Sequence, residues 1–127
     1  MRPSLSKFSP PLYHPSLMTV LVLVRTANSL ASLLTRVHGR FPNTKIWVTE
    51  YALAHQDLAS TQAFYDESIA YLDGTDVIER YSYFGAFRSQ VSNVGANATF
   101  LSQDGQLTQI GARYLGVGTT GVDPTSG

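Results

Sequence analysis

Apolar residues come alternately in unbroken runs and at helical spacing. Thr19-Val20-Leu21-Val22-Leu23-Val24 is a continuous β-branched and aliphatic run, the pattern of a strand covered on both faces, as in parallel sheets. Leu30, Leu33, Leu34 and Val37 then recur at helical spacing, with Asn28 able to cap the helix and Gly39 able to stop it. Pro42 follows where it cannot extend that helix. Lys45 to Ala52 is rich in strand formers and predicts a second strand. After a loop through His55, Gln56 and Asp57, Ser60 or Thr61 is the expected cap of a helix whose apolar face is Phe64, Tyr65, Ile69 and Leu72, ending at Gly74. Val77 to Phe84 predicts a third strand, broken by Gly85. A long loop spans Arg88 to Asn97; Thr99-Phe100-Leu101 is extended and Asp104-Gly105 is a turn. Leu107, Ile110, Gly111 and Tyr114 mark a last short helix with Thr108 as its cap.

The order β-α-β-α-β-(long loop)-α implies parallel strands with flanking helices. About three helices cover one face of a parallel sheet well but hardly two. Two architectures follow, a layered α/β domain with a thin back or part of a (β/α)8 barrel, which takes about 250 residues when whole. The expected organisation is an irregular tail over 1–18, a folded domain over 19–116 and a flexible tail over 117–127.

Composition narrows the function classes. With 43% hydrophobic and 14% charged residues the chain can build a core. Nine basic residues balance nine acidic ones, leaving no broad positive field for nucleic acid. There is no cysteine, hence no disulfide or thiolate metal site. His14, His38 and His55 form no i, i+4 pair, so no metal site is expected; His38 near a helix C-terminus suits the exposed carbonyls there. The phosphate-cradling and nucleophile-elbow glycine patterns are absent, and no cofactor is expected. No apolar run approaches the roughly 20 residues of a membrane span. Arg2, Lys7 and the run Leu17–Val24 faintly resemble a signal peptide, but Pro3, Pro10, Pro11 and Pro15 crowd the segment, and a tail leading into a strand is the preferred reading. Asn97-Ala98-Thr99 matches the N-glycosylation acceptor pattern, which matters only in a secreted chain.

Glu50 ends the otherwise apolar stretch Ile46–Thr49. The C-terminal end of a parallel strand is where α/β proteins place their sites, although a solvated strand-end acid is an equal reading of the spacing. Strict alternation puts Ile46, Val48 and Glu50 on one side and Trp47, Thr49 and Tyr51 on the other. In a barrel the first set would face the interior, and Trp47 would pack against the helices.

Three blocks carry a resemblance. Phe41-Pro42-Asn43-Thr44-Lys45-Ile46-Trp47-Val48-Thr49-Glu50-Tyr51-Ala52, then Val77 to Gly85, then Leu101-Ser102-Gln103-Asp104-Gly105-Gln106-Leu107-Thr108 onward to Leu115 resemble, in order, segments of the glycosyl hydrolase catalytic-core family, glycoside hydrolase family 128. The resemblance implies the C-terminal portion, about strands six to eight, of a (β/α)8 TIM barrel of retaining β-1,3-glucan hydrolases. It implies Glu50 as the catalytic nucleophile, a β-glucan or related polysaccharide as partner, and a secreted or cell-wall location. Retaining chemistry needs a second carboxyl about 5–5.5 Å away as general acid. The family carries it in an Asn-Glu context, and this chain has no Asn-Glu.

Departures shape the remaining expectations. The aromatic at Tyr83 is usually Trp in the family, and the sixth-strand His-x-Tyr pair has no counterpart in Leu21-Val22-Leu23-Val24-Arg25. Asp57 is the nearby candidate for the missing acid; Tyr83, Phe87 and Tyr51 are the candidate sugar-stacking aromatics. The chain alone is expected to have little or no hydrolase activity. The alternatives are a non-catalytic β-glucan-binding remnant and a non-functional truncated product. Ile46 and Val48 facing a vacant interior, together with the edge Val20–Val24, would make the chain marginally folded and prone to self-association.

Overall fold

The computed structural model describes residues 2–3, 17–24 and 26–127. Residues 1 and 4–16 of the expected tail lie outside these. The elements are β1 (Arg2–Pro3), β2 (Leu17–Val24), α1 (Ala27–Arg40), β3 (Lys45–Leu53), α2 (Leu58–Gly74), β4 (Ile78–Tyr83) and α3 (Gln109–Leu115), with short 3-10 turns at Ser89–Val91 and Ala96–Ala98. They form one sheet in the order β1-β4-β3-β2. β2, β3 and β4 are parallel, and β1 runs antiparallel along the far edge of β4. The expected first strand thus starts at Leu17, and Arg2, Pro3, Leu17 and Met18 of the expected irregular tail belong to the sheet.

Local chemistry explains the boundaries. Thr26, not Asn28, caps α1: its backbone is extended and its hydroxyl accepts from Ser29 N–H at 3.0 Å. Gly39 does not stop α1, which runs to Arg40 with Phe41 N–H bonding back to the Val37 and His38 carbonyls. Asp57 rather than Ser60 or Thr61 caps α2, accepting from Ser60 N–H at 2.9 Å. Thr108 caps α3 as expected, and Gly116 closes it in the left-handed conformation. His38 lies in the last turn of α1.

The core lies between the sheet and helices α1 and α2. Leu30 and Leu34 of α1 and Phe64, Tyr65 and Leu72 of α2 are buried with Ile46, Val48 and Tyr51 of β3 and Ile78, Tyr81 and Tyr83 of β4. The opposite face of the sheet carries exposed Thr19, Glu50 and Arg80.

This assignment of faces overturns the alternation expected for β3. Val20 pairs with Val48 but Leu21 pairs with Glu50, so Thr49 is an extra residue with no partner on β2. A bulge of this kind flips the side-chain parity beyond it. Ile46 and Val48 face the helices, at 1% and 0% exposure, instead of a vacant interior, and beyond the skip Tyr51 rather than Glu50 shares their face. Trp47, expected against the helices, lies half-buried on the open face. Its Nε1–H donates to Glu79 Oε2 at 2.5 Å, and the Arg80 guanidinium lies 5.6 Å from the ring. β4 carries a matching irregularity: Ile46 pairs with Ile78 and Trp47 with Arg80, leaving Glu79 as the extra residue.

The argument for a marginal fold changes with the faces: Ile46 and Val48, expected to line a vacant interior, are buried in the core instead. Among the described residues β2 is an edge strand, paired on one side with β3, and its first residue Leu17 is 45% exposed. The C-terminal segment 117–127 has no helix or strand, yet it is tied to the domain. Thr120 N–H donates to Gln109 Oε1 at 3.0 Å, Thr120 Oγ1 donates to the Leu107 carbonyl at 2.9 Å, and Pro124 is buried.

Candidate functional site

The C-terminal ends of β2, β3 and β4 form one rim of the sheet, bounded by the 54–57 loop after β3 and the long segment after β4. Glu50 stands on this rim. Tyr51 pairs with Tyr83, the last residue of β4, so Glu50 is level with the end of the neighbouring strand. Tyr51 faces the helices, so its neighbour Glu50 faces the open side. The Glu50 carboxylate is exposed and has no side-chain partner among the described residues. Without the extra residue at Thr49, Glu50 would share the face of Ile46 and Val48, a carboxylate buried among aliphatic side chains.

Tyr51 and Tyr83 do not reach this surface. They are 0% and 2% exposed, and their rings sit 5.3 Å apart edge to face, Tyr51 against Phe64 and Tyr83 against Tyr65 and Phe100. Burial pushes both phenols well above their ordinary range, so they stay neutral and have no free ring face for a sugar. Phe87 is half-buried and meets Phe84 edge to face at 5.1 Å. Phe84 continues β4, its N–H donating to the Tyr51 carbonyl at 2.9 Å. By alternation from Tyr83 it turns to the side of Glu50. The sequence named Phe87 but passed over Phe84, whose signal was its position one residue past a buried tyrosine.

Asp57 is occupied as a helix cap. The Ser60 backbone N–H and then the Ser60 hydroxyl hold its carboxyl below the ordinary carboxylate range. A general acid needs the opposite shift; here the Asp57 carboxylate serves as the N-cap of α2. Glu79, the other carboxylate toward the open face, is bound by Trp47. It lies about 10 Å back along the strands, three residues at roughly 3.3 Å each.

The third sequence block is structural. The Asp104 carboxylate accepts from the Ser102 hydroxyl and from Gln106 Nε2. Gly105 turns at φ +91°, and Gly111 lets α3 approach the Phe100 backbone. The glycosylation pattern is likewise built into the fold. Asn97 Nδ2 donates to the Gln56 carbonyl at 2.9 Å, and Thr99 is fully buried with Oγ1 2.7 Å from the Ala96 carbonyl.

Among the described residues no group of three or more potential metal ligands occurs, and no helix is long and apolar enough to cross a membrane. A cavity of about 350 Å³ lined by His38, Pro42, Lys45 and Asp76 opens at the N-terminal ends of the strands, away from Glu50.

A family model described as the glycosyl hydrolase catalytic core matches residues 12–114. Alkali-sensitive linkage protein 1 of Schizosaccharomyces pombe is 30% identical over 76 residues, which cover 55% of this chain and 14% of that protein. Among solved structures, a GH128 subgroup VI exo-β-1,3-glucanase from Aureobasidium namibiae superposes with a TM-score of 0.72 at 19% identity, over 79% of this chain and 41% of that one. A subgroup V exo-β-1,3-glucanase from Cryptococcus neoformans gives 0.70 at 22% identity, over 79% and 43%. A subgroup II endo-β-1,3-glucanase from Sorangium cellulosum gives 0.65 at 22%, over 82% and 42%. At these identities the likeness is one of fold: the sheet and its helices are the C-terminal portion of a (β/α)8 barrel. The chain spans less than half the length of each of these structures and about one seventh of the curated relative.

Proposed function

The chain belongs to the glycosyl hydrolase catalytic-core family, and from that premise we propose that Glu50 is the nucleophile carboxylate of a retaining β-1,3-glucan-hydrolysing site. The observation that carries this reading is the bulge at Thr49, which turns Glu50 away from the helix-side core to the open face, three residues before β3 ends at Leu53 and level with the end of β4. There one Glu50 oxygen attacks the anomeric carbon as the bond to the leaving sugar oxygen breaks. A second carboxyl gives that oxygen its proton, then takes a proton from the water that releases the glycosyl ester. The described residues supply no such second carboxyl. The neighbouring Asp57 is a cap with a depressed pKa, and Glu79 is held by Trp47.

This shortage favours a second reading of the same surface, a glucan-binding unit that holds the polysaccharide without cleaving it. The rim offers hydrogen-bonding groups and the half-buried Phe84–Phe87 pair, so binding would depend little on salt. Reducing-sugar release from β-1,3-glucan by the purified chain is expected at background, unchanged by Glu50→Gln, while calorimetry with laminari-oligosaccharides detects binding. Release that Glu50→Gln abolishes would place an acid within this chain after all. Release that survives Glu50→Gln would remove Glu50 from the nucleophile role.

Copies of the chain are further proposed to associate through the outer edge of β2, which pairs with no other strand among the described residues and can template one from another copy. Sedimentation velocity over a tenfold concentration range is expected to show a rising coefficient; a constant monomer value would rule the association out.

A further inference from the structure

His55 is the only residue other than glycine with positive φ among the described residues, at 55°. It sits two residues beyond the end of β3 and five beyond Glu50, with its side chain exposed. A side chain in this backbone region is strained and persists where the surroundings over-determine it. Here they do. His55 N–H donates to the Val94 carbonyl at 2.9 Å, and the next carbonyl, that of Gln56, accepts from Asn97 Nδ2 at 2.9 Å. Gly95, itself at φ +92°, presses on the turn so closely that a Cβ there would lie 3.3 Å from His55 Cα and 3.4 Å from its Nδ1.

The segment after β4 therefore clamps the segment after β3 at the rim that carries Glu50. Glycine would take this conformation without strain, yet the position carries an imidazole, with one donor and one acceptor when neutral. No described residue hydrogen-bonds to that ring. Trp47, a large aromatic on the open side, is less available, because Arg80 lies by its ring and Glu79 takes its N–H.

We propose that His55 is a sugar-contacting residue of the Glu50 site, its ring nitrogens exchanging hydrogen bonds with the hydroxyls of a neutral glucan, and that Gly95 and Asn97 are positioning residues that hold it there. The inference rests on the glucan reading above and adds the loop after β3 to the binding surface.

The test is calorimetric titration of the full chain with laminari-oligosaccharides, run beside thermal melts. His55→Gly removes the imidazole and the strain together. It is expected to melt at or above the parent temperature while binding about tenfold more weakly. Asn97→Ala is expected to weaken binding in the parent and to have no further effect on binding in the His55→Gly background; a purely structural Asn97 would act equally in both. Unchanged affinity in His55→Gly overturns this inference and leaves the glucan reading standing. Failure of the parent chain to bind any laminari-oligosaccharide overturns the glucan reading and this inference with it.

Discussion

Tyr51→Ala is expected to destabilise the domain by about 3–5 kcal/mol, the range for truncating a large buried aromatic. Tyr51 is fully buried. Its ring meets Phe64 at 6.2 Å, Tyr81 at 6.3 Å and Tyr83 at 5.3 Å, so the substitution opens a cavity where β3, β4 and α2 converge. Against a total stability of about 5–15 kcal/mol, the variant is expected to melt far below the parent or to be unfolded at 25 °C. Tyr51→Phe keeps the ring and is expected to stay within about 1 kcal/mol of the parent, because the hydroxyl lost is in a desolvated place beside Ser68. Urea unfolding followed by circular dichroism measures both. A Tyr51→Ala protein as stable as the parent would mean that Tyr51 is a surface ring, as a sugar-stacking role requires.

Gly111→Ala is expected to cost about 2 kcal/mol net. A Cβ at Gly111 would lie 2.9 Å from Phe100 Cα and 3.0 Å from its carbonyl carbon, and closer still to the carbonyl oxygen. These are backbone atoms, and they cannot rotate aside. The Phe100 carbonyl is held by Thr108 N–H at 2.9 Å and its N–H by the Gly85 carbonyl at 2.7 Å. Helix α3 would have to move outward, straining the Thr108 cap that receives Gly111 N–H and donates to the Thr99 carbonyl. Overpacking against fixed backbone costs up to about 3 kcal/mol; the better helix propensity of alanine returns about 1 kcal/mol. At about 4 °C per kcal/mol for a chain of this size, the melting temperature is expected to fall by about 8 °C. Gly39→Ala supplies the opposite sign. Gly39 is also helical, but nothing lies within 4 Å of its Cβ position, so only the propensity gain remains and the melt is expected to rise by about 4 °C. Equal shifts for the two variants would show that the close approach of α3 to Phe100 does not exist.

The elements and their order were legible in the sequence because they depend on local pattern. The aliphatic run before Val24, the spacing of Leu30, Leu33, Leu34 and Val37, and Thr108 ahead of Ile110 each point to a strand, a helix and a cap without knowledge of any distant residue. Glu50 was expected at the strand end, but β3 runs on to Leu53. The faces were not legible. Period-two counting from Ile46 reaches Glu50 and misses Tyr51, and nothing around Thr49 announces that one residue will be skipped. The skip arises from pairing with two neighbours: Thr49 has no partner on β2, and β4 accommodates its own extra residue at Glu79. That skip put Tyr51 on the face of Ile46 and Val48 and left Trp47 and Glu50 on the other, so Tyr51 sits among core side chains where a sugar cannot touch it. The left-handed turn at His55 lay equally beyond local pattern, because the residues that hold it, Val94, Gly95 and Asn97, are about forty positions away in the chain. Hydrophobic period and capping chemistry act within a few residues, so the sequence alone settles where strands and helices run. Which side of the sheet each residue serves depends on register across strands, and only the assembled structure settled it.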